Sequence, residues 1–107
     1  MVTSKGDESM QPLSLESRVC WAKDVLFRNL DGEAVLVNLN TSTYFGLDPI
    51  GTRVWELIGE RRRLADVLQG VLDEFDVTED RARRDLLDLA AELMASDLIC
   101  ADDEQPR

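Results

Sequence analysis

The sequence predicts an α+β fold of the winged helix-turn-helix type, in which a three-stranded antiparallel sheet is followed by three α-helices. Two observations carry this prediction. Short segments rich in strand-forming residues fill the first half of the chain, whereas apolar residues at helical spacing fill the second half. Strands and helices that are segregated in this way are typical of α+β domains. The links between the predicted helices are short, as in helix-turn-helix units.

The first two predicted strands flank a tight turn at Asp31 and Gly32. Residues 25–28 are rich in strand formers, and residues 34–39 form the second strand. Gly32 can adopt a positive φ without steric cost, which makes Asp-Gly the strongest short hairpin signal in the chain. The sequence therefore predicts an antiparallel hairpin here.

The turn that follows the second strand allows two registers. A two-residue loop would place Asn38 opposite Phe45, whereas a three-residue loop would place Val37 opposite Phe45 and Val35 opposite Leu47. The second register is favoured because it gathers the apolar side chains on one face. Those side chains are Val35, Val37, Leu39, Phe45 and Leu47.

The third strand covers residues 43–47, and Ser42 before it takes the left-handed position of a bulged turn, where Gly is usual. Because the next element is a helix, this strand is left at an edge of the sheet. An unpaired edge strand can accept an extended peptide as a further strand.

Capping residues and apolar periodicity predict the helices. Asp48 is a good N-cap, Pro49 suits the first helical position, and Gly59 ends the first helix. The second helix carries apolar residues from Leu64 to Phe75 at helical spacing.

The third helix is predicted from about Glu79 to Ser96, with Asp76 or Thr78 as its cap. Its core face is expected to carry Ala82, Leu86, Leu89 and Leu93. Residues 98–100 form a short final strand.

The chain has 107 residues, of which 44% are hydrophobic and 32% are charged, as expected for one globular domain. Polar composition predicts flexible tails at residues 1–17 and 101–107, which leaves residues 18–100 as the folded domain. The N-terminus has no apolar segment like that of a signal peptide, and no run approaches the ~18 apolar residues of a membrane span. We therefore expect a cytoplasmic protein without membrane association.

Histidine is absent, which removes the commonest general base and the commonest zinc ligand. The two cysteines, Cys20 and Cys100, lack the spacing of a metal site. They are expected to be free thiols in a reducing compartment, and a disulfide between them stays an open alternative. We expect no catalytic residue, metal or cofactor. The net charge of −10 makes nucleic acid an unfavourable partner.

Several segments of the chain resemble the PqqD-like family, also called RiPP recognition elements, which serve the biosynthesis of ribosomally made, modified peptides. They are GEAVLVNLNT at residues 32–41, TYFGLDPIGTRVWELI at 43–58, LADVL at 64–68, FDVTED at 75–80 and DLLDLAAELMASDLI at 85–99. The join between TYFGLD and GTRVW is the most specific of these features. Ser42 departs from the family pattern, because many relatives carry Gly there.

The resemblance implies a stand-alone, non-catalytic protein that binds the leader of a precursor peptide and presents it to a separately encoded peptidase or other modifying enzyme. In the family, the leader adds as a strand to the third strand and lies against the third helix. On the strand, the expected peptide-binding residues are Ser42, Thr43, Tyr44, Phe45, Gly46 and Leu47. On the helix, the stripe beside the predicted core face supplies Arg83, Leu87, Ala90 and Met94.

Three functions stay open at this point. One is leader binding in lasso-peptide-type biosynthesis, with a leader-cleaving peptidase as the partner. Another is a PqqD-like chaperone for a radical SAM enzyme that acts on a precursor peptide. The third is a winged-helix DNA-binding regulator, which the acidic residues of the third helix disfavour. An edge strand also allows self-pairing, so both a monomer and an edge-paired dimer are open.

Overall fold

The computed structural model describes residues 13–101 and confirms the predicted α+β architecture. The strands are β1 (Val19–Trp21), β2 (Val25–Leu30), β3 (Glu33–Asn38), β4 (Thr43–Gly46) and β5 (Ile99–Ala101). The helices are α1 (Pro49–Arg61), α2 (Leu64–Glu74) and α3 (Glu79–Ala95), and all three lie between β4 and β5 in the chain.

Strands β2, β3 and β4 form the predicted antiparallel sheet, with β3 in the centre. The first and last strands form a second sheet, in which β1 runs antiparallel to β5. The sequence predicts β5 but not its partner, because three residues are too few to show an alternating apolar pattern. This small sheet brings the first and last strands of the domain side by side.

The register between β3 and β4 differs from the predicted one. Leu36 lies opposite Phe45, and Val37 lies opposite Tyr44. The buried residues of β3 are Ala34, Leu36 and Asn38. The prediction of the core face is therefore wrong for three residues, which lie on the exposed side of the hairpin: Val35, Val37 and Leu39.

The side chain of Asn38 explains this difference. Its Oδ1 accepts hydrogen bonds from the amides of Asn40 (2.8 Å) and Thr41 (3.2 Å), and its carbonyl accepts one from the amide of Ser42 (2.8 Å). These bonds stabilise a connection of four residues, 39–42, instead of the predicted three, and the face of β3 changes with it. Ser42 has a φ of +63°, which confirms its left-handed position.

Helix α1 begins where the sequence predicts and ends later. The Asp48 side chain caps it by accepting a hydrogen bond from the amide of Gly51 (2.7 Å). The helix continues through Gly59 to Arg61, so the prediction that Gly59 ends it is wrong. Gly59 has a packing role instead, because a β-carbon there would overlap the indole ring of Trp21.

Helix α3 is capped by Thr78, whose hydroxyl accepts a hydrogen bond from the amide of Arg81 (3.3 Å). Its buried residues are Ala82, Leu86, Ala90 and Leu93. Ala90 thus takes the core position that the sequence assigned to Leu89. These buried positions follow one another at intervals of three or four residues, as one face of a helix requires.

Residues 13–17, which the sequence assigned to a flexible tail, pack against the start of α2. Leu13 and Leu15 are partly buried against the core, and the Leu15 carbonyl accepts a hydrogen bond from the amide of Ala65 (2.8 Å). Ala101, which the sequence assigned to the other tail, is the last residue of β5. The rest of the two predicted tails, residues 1–12 and 102–107, lies outside the described residues. Within the described part of the chain, no helix is both long and apolar enough to cross a membrane.

Candidate peptide-binding site

Strand β4 forms an edge of the three-stranded sheet, and within residues 13–101 it pairs only with β3. The amide of Leu47, just after the strand, donates to the carbonyl of Ala34 (2.8 Å). In an antiparallel ladder, alternate residues direct both backbone groups to the same side. The backbone amide and carbonyl of Phe45 therefore point towards β3, whereas those of Tyr44 and Gly46 point away from the sheet.

A groove with a volume of about 840 Å³ runs beside this edge. The end of β4, the first turns of α1 and one face of α3 form its walls. Its lining residues are Phe45, Gly46, Leu47, Asp48, Ile50, Gly51, Val54, Val71, Asp76, Val77, Thr78, Arg81, Ala82, Asp85, Leu86, Asp88, Leu89 and Glu92. Leu47, Val54 and Leu86 are buried, so the floor is apolar. The site thus combines an open strand edge with an adjacent apolar cleft.

Thr52 fixes the edge strand relative to α1. Its buried hydroxyl accepts a hydrogen bond from the amide of Ala34 (2.8 Å) and lies 3.5 Å from the carbonyl of Leu47. The hydroxyl therefore takes the place of a direct ladder bond where β4 leaves β3. Gly51, the preceding residue, lets the helix approach closely, because a β-carbon would lie 3.1 Å from Oδ1 of Asp48.

Arg53 links α1 to α2, which contributes Val71 to the groove. Its guanidinium donates two hydrogen bonds to Glu74, from Nε (2.9 Å) and Nη2 (3.1 Å), and a third to Glu56 (3.1 Å). The hydrogen bond from Arg53 holds the pKa of Glu74 below its ordinary value, and partial desolvation of the carboxylate acts in the opposite direction. Glycine, threonine and arginine at residues 51–53 therefore position the groove walls.

The residues predicted on the strand surround the open edge. Phe45, Gly46 and Leu47 line the groove. Tyr44 lies on the outer face of the sheet and is 73% exposed. The other two lie where the turn meets the strand: Ser42 is exposed in the turn, and Thr43 begins β4, with its amide donating to Oγ1 of Thr41 (3.3 Å).

The four residues predicted on the helix lie elsewhere on α3. Ala90 is fully buried in the core. Leu87 and Met94 are half-buried against the core, and Arg83 donates to Oδ1 of Asp80 (3.0 Å). None of the four lines the groove, so the structure does not bring them together with β4 around this cleft.

A different stripe of α3 faces the groove, and the sequence did not single it out. Its members are Arg81, Asp85, Asp88, Leu89 and Glu92. The offset follows from the core assignment, because moving Leu89 out of the core and Ala90 into it rotates the helix by about one residue, or ~100°. An alternative helical wheel with small Ala90 facing inward would have identified this stripe.

The described residues contain no group of three or more Cys, Asp or Glu side chains placed to hold a metal ion. What the geometry offers is backbone hydrogen bonding at an edge, an apolar floor and charged walls. These are the properties of a site for an extended peptide.

Comparisons with known proteins agree with this geometry. A family model described as coenzyme PQQ synthesis protein D (PqqD) matches residues 33–99. The chain is similar to a solved structure described as TbiB1 in complex with the TbiA(beta) leader peptide, with 31% identity and a TM-score of 0.70, over 81% of this chain and 99% of that chain. It is also similar to one described as lasso peptide synthetase B1 complexed with the leader peptide, with 19% identity and a TM-score of 0.69, over 78% of this chain and 98% of that chain. The comparison with curated proteins gives no match.

The second solved structure is too distant in sequence to show more than the fold. The family model, however, covers more than half of the chain, and the relative at 31% identity is matched along almost its whole length. This chain therefore belongs to the PqqD family.

Proposed function

We propose that this protein binds the leader of a ribosomally made precursor peptide by adding it as a strand to β4. It then presents the bound peptide to a separately encoded modifying or leader-cleaving enzyme. The observation that carries the proposal is the outward-facing backbone of Tyr44 and Gly46 beside the groove. Each backbone hydrogen bond made there would contribute a net ~0.5–1.5 kcal/mol.

The biosynthetic setting that we propose is of the lasso-peptide type. TbiB1, which is 31% identical to this chain, is described in complex with a leader peptide. The outward-facing backbone of β4 offers a leader peptide hydrogen-bond donors and acceptors here. The cytoplasmic location predicted from the sequence suits this role, because ribosomes supply the precursor there.

On the protein side, we propose that the strand contacts are those predicted from the sequence, residues 42–47. On α3, we assign the contacts to the groove-facing stripe rather than to Arg83, Leu87, Ala90 and Met94. Leu89 is half-buried and supplies apolar surface, while Asp85 and Glu92 supply charge. Backbone pairing would hold many extended sequences, so these side chains would select among them.

We propose a binding role and not a catalytic one. The groove offers its ligand backbone groups, apolar surface and carboxylates, without a nucleophile and base arranged as a pair. A chaperone for a radical SAM enzyme in a pathway related to that of pyrroloquinoline quinone is the second candidate. The name of the matching family model favours it.

A DNA-binding role is disfavoured by the charge of α3. A recognition helix needs basic residues that face the phosphates. Here three acidic residues, Asp85, Asp88 and Glu92, line the open face of the helix. A gel-shift experiment at low salt should therefore show no DNA complex.

The experiment that tests strand addition is a titration with a labelled leader from the precursor gene beside this one. Tyr44→Pro removes an outward amide, and we expect it to weaken binding about 10-fold or more. Tyr44→Ala is the matched control, because it shortens the side chain and keeps the amide. Phe45→Pro is unsuitable, since its amide faces β3 and its loss would disturb the fold.

Circular dichroism and thermal unfolding must show that both Tyr44 variants are folded. A folded Tyr44→Pro variant that binds the leader as tightly as the unchanged protein would rule out strand addition to β4. Loss of binding in Tyr44→Ala alone would instead assign the interaction to the phenol ring on the outer face of the sheet.

A further inference from the structure

Resting on the proposed function, we infer that the groove selects peptides with lysine or arginine among the side chains that point towards α3. The inference concerns the chemical class of the leader. It is carried by the charges of the groove walls and their position relative to the open edge of β4.

The groove walls are strongly acidic. They carry five carboxylates, from Asp48, Asp76, Asp85, Asp88 and Glu92, and Arg81 is their one cationic residue. The Nε atom of Arg81 lies 3.5 Å from Oδ2 of Asp85, so the positive charge of Arg81 is already paired with a carboxylate. Among residues 13–101, neither Asp88 nor Glu92 forms an ion pair. The groove therefore presents excess negative charge to its ligand.

The acidic side chains of α3 surround an apolar residue. Asp85, Asp88 and Glu92 lie three or four positions apart, which places them on one helix face around half-buried Leu89. Lysine and arginine match this arrangement, because their aliphatic stems can cover an apolar side chain while their charged ends reach carboxylates. Glutamate or aspartate at the same ligand position would be repelled.

The strand geometry of the ligand predicts where its cationic residues occur. Side chains of a strand point alternately to the two faces of a sheet. In a peptide added to β4, side chains on the face of Phe45 would point into the groove, and those on the face of Tyr44 would lie outside it. The peptide should therefore carry apolar or basic residues at every second position, where its side chains point into the groove.

The charge of the whole chain acts in the same direction. With a net charge of −10, the protein attracts cationic peptides over long range and slows the approach of anionic ones. Because surface charges are screened by salt, this contribution should weaken as ionic strength rises.

The test is a selection from a displayed library of random peptides that are about 12 residues long. At ~3.3 Å per residue, an extended peptide of this length is longer than β4. The unchanged protein should enrich peptides with Lys or Arg at alternate positions and deplete those with Asp or Glu. Tyr44→Pro, selected in parallel, identifies the peptides that depend on strand addition.

Two charge variants then locate the preference. Asp88→Asn with Glu92→Gln should weaken the binding of a selected basic peptide about 5-fold and reduce its preference over a Gln-substituted version by a similar factor. Asp31→Asn with Asp73→Asn changes the net charge equally at exposed positions outside the groove, and should change affinity less than about 2-fold.

The outcomes separate the two proposals. Tyr44-dependent peptides without any preference for Lys or Arg would overturn the charge inference and leave strand addition intact. Equal losses in both double variants would also overturn it, because the effect would then belong to net charge. A pool without any Tyr44-dependent peptide would contradict the proposed function itself, and the charge inference with it.

Discussion

Asn38 Nδ2 donates a hydrogen bond of 2.7 Å to the carbonyl of Asp97. The bond joins β3 to the segment that follows α3, so it connects the sheet that carries β4 with the helix that forms the opposite wall of the groove. Asn38 is almost fully buried, and its Oδ1 is occupied by the turn that precedes β4. The buried side-chain amide of Asn38 therefore stabilises the turn before β4 and helps to fix the spacing of the groove walls.

Replacing Asn38 with Ala should destabilise the fold and weaken leader binding together. The change leaves the Asp97 carbonyl and two turn amides without their partner, which costs roughly 2–4 kcal/mol in the free energy of unfolding. Urea unfolding measures the stability. Asn40→Ala is the control, because Asn40 is exposed and makes one surface side-chain bond, to Asp24 (3.2 Å). Equal effects in the two variants would contradict the role given to Asn38.

Gly59→Ala should lower stability, although the same change in most helices raises it. A β-carbon at residue 59 would lie 2.7 Å from Cη2 of Trp21 and closer still to Cζ2. Trp21 is held in place by stacking on Trp55, with centroids 5.1 Å apart, and by donating to the Trp55 carbonyl (3.0 Å). The overlap should outweigh the gain of ~1 kcal/mol in helix propensity. In a Trp21→Ala background, where the overlap is gone, Gly59→Ala should become stabilising.

Leu89 and Met94 offer a matched test of which face of α3 binds the peptide. Both are half-buried apolar residues, but only Leu89 lines the groove. Leu89→Ala should weaken leader binding several-fold, because it removes apolar surface worth roughly 1 kcal/mol from the wall. Met94→Ala should change affinity less than about 2-fold by the same titration. A larger loss of affinity in Met94→Ala than in Leu89→Ala would instead support the peptide-binding stripe that the sequence predicts.

The sequence predicts the elements well because each has a local signal. Asp48 and Pro49 begin α1 where expected, and the strand formers around Tyr44 give β4 within one residue. These signals depend only on neighbouring residues, through capping and backbone preference. The edge position of β4 follows from the order of elements, so the sequence could predict the open strand edge to which we propose that the peptide adds.

The faces of the elements could be predicted only in part, because they depend on contacts between residues distant in the chain. The Asn38 side chain lengthens the turn and thereby exposes Val35, which a pattern of alternating apolar residues places inside. On α3, Ala90 is fully buried, while the larger Leu89 is half-buried and lines the groove. Hydrophobicity alone favours Leu over Ala in the core, so the stripe predicted from the sequence lies about one residue around the helix from the stripe that faces the groove.

The ion pair between Arg53 and Glu74 should make stability depend on pH in acid. The pKa of Glu74 lies below its ordinary value of 4.5 because of the hydrogen bond from Arg53. A carboxyl group with a lowered folded-state pKa stabilises the fold above its unfolded-state pKa, and the contribution is lost as pH falls through the folded-state value. The stability difference between the unchanged protein and Glu74→Gln should thus shrink in acid. Urea unfolding from pH ~7 down to ~2 measures it, and a constant difference would contradict the assignment.

Cys20 and Cys100 should form an intramolecular disulfide under mild oxidation. They lie opposite each other in β1 and β5, and their Sγ atoms are 3.6 Å apart. Opposed residues in antiparallel strands have Cα atoms about 4.5–5.5 Å apart, within the ~4.4–6.8 Å that disulfides span. Oxidised glutathione would take the two electrons and two protons of the thiols and leave as two glutathione molecules. Mass spectrometry should show a monomer that has lost two hydrogen atoms.

The same bond should raise the free energy of unfolding by about 4 kcal/mol, because it closes a loop of some 80 residues in the unfolded chain. Urea unfolding of the oxidised and reduced forms measures this difference, and Cys100→Ser, treated with the same oxidant, should show none. Because Cys100 is exposed and Cys20 is half-buried, the Cys100 thiolate can attack oxidised glutathione and release one glutathione molecule. The Cys20 thiolate can then attack Cys100 in this mixed disulfide and displace the second glutathione. A lasting adduct of glutathione on Cys100, or a disulfide-linked dimer in place of the closed monomer, would mean that β1 and β5 do not hold the two thiols in register.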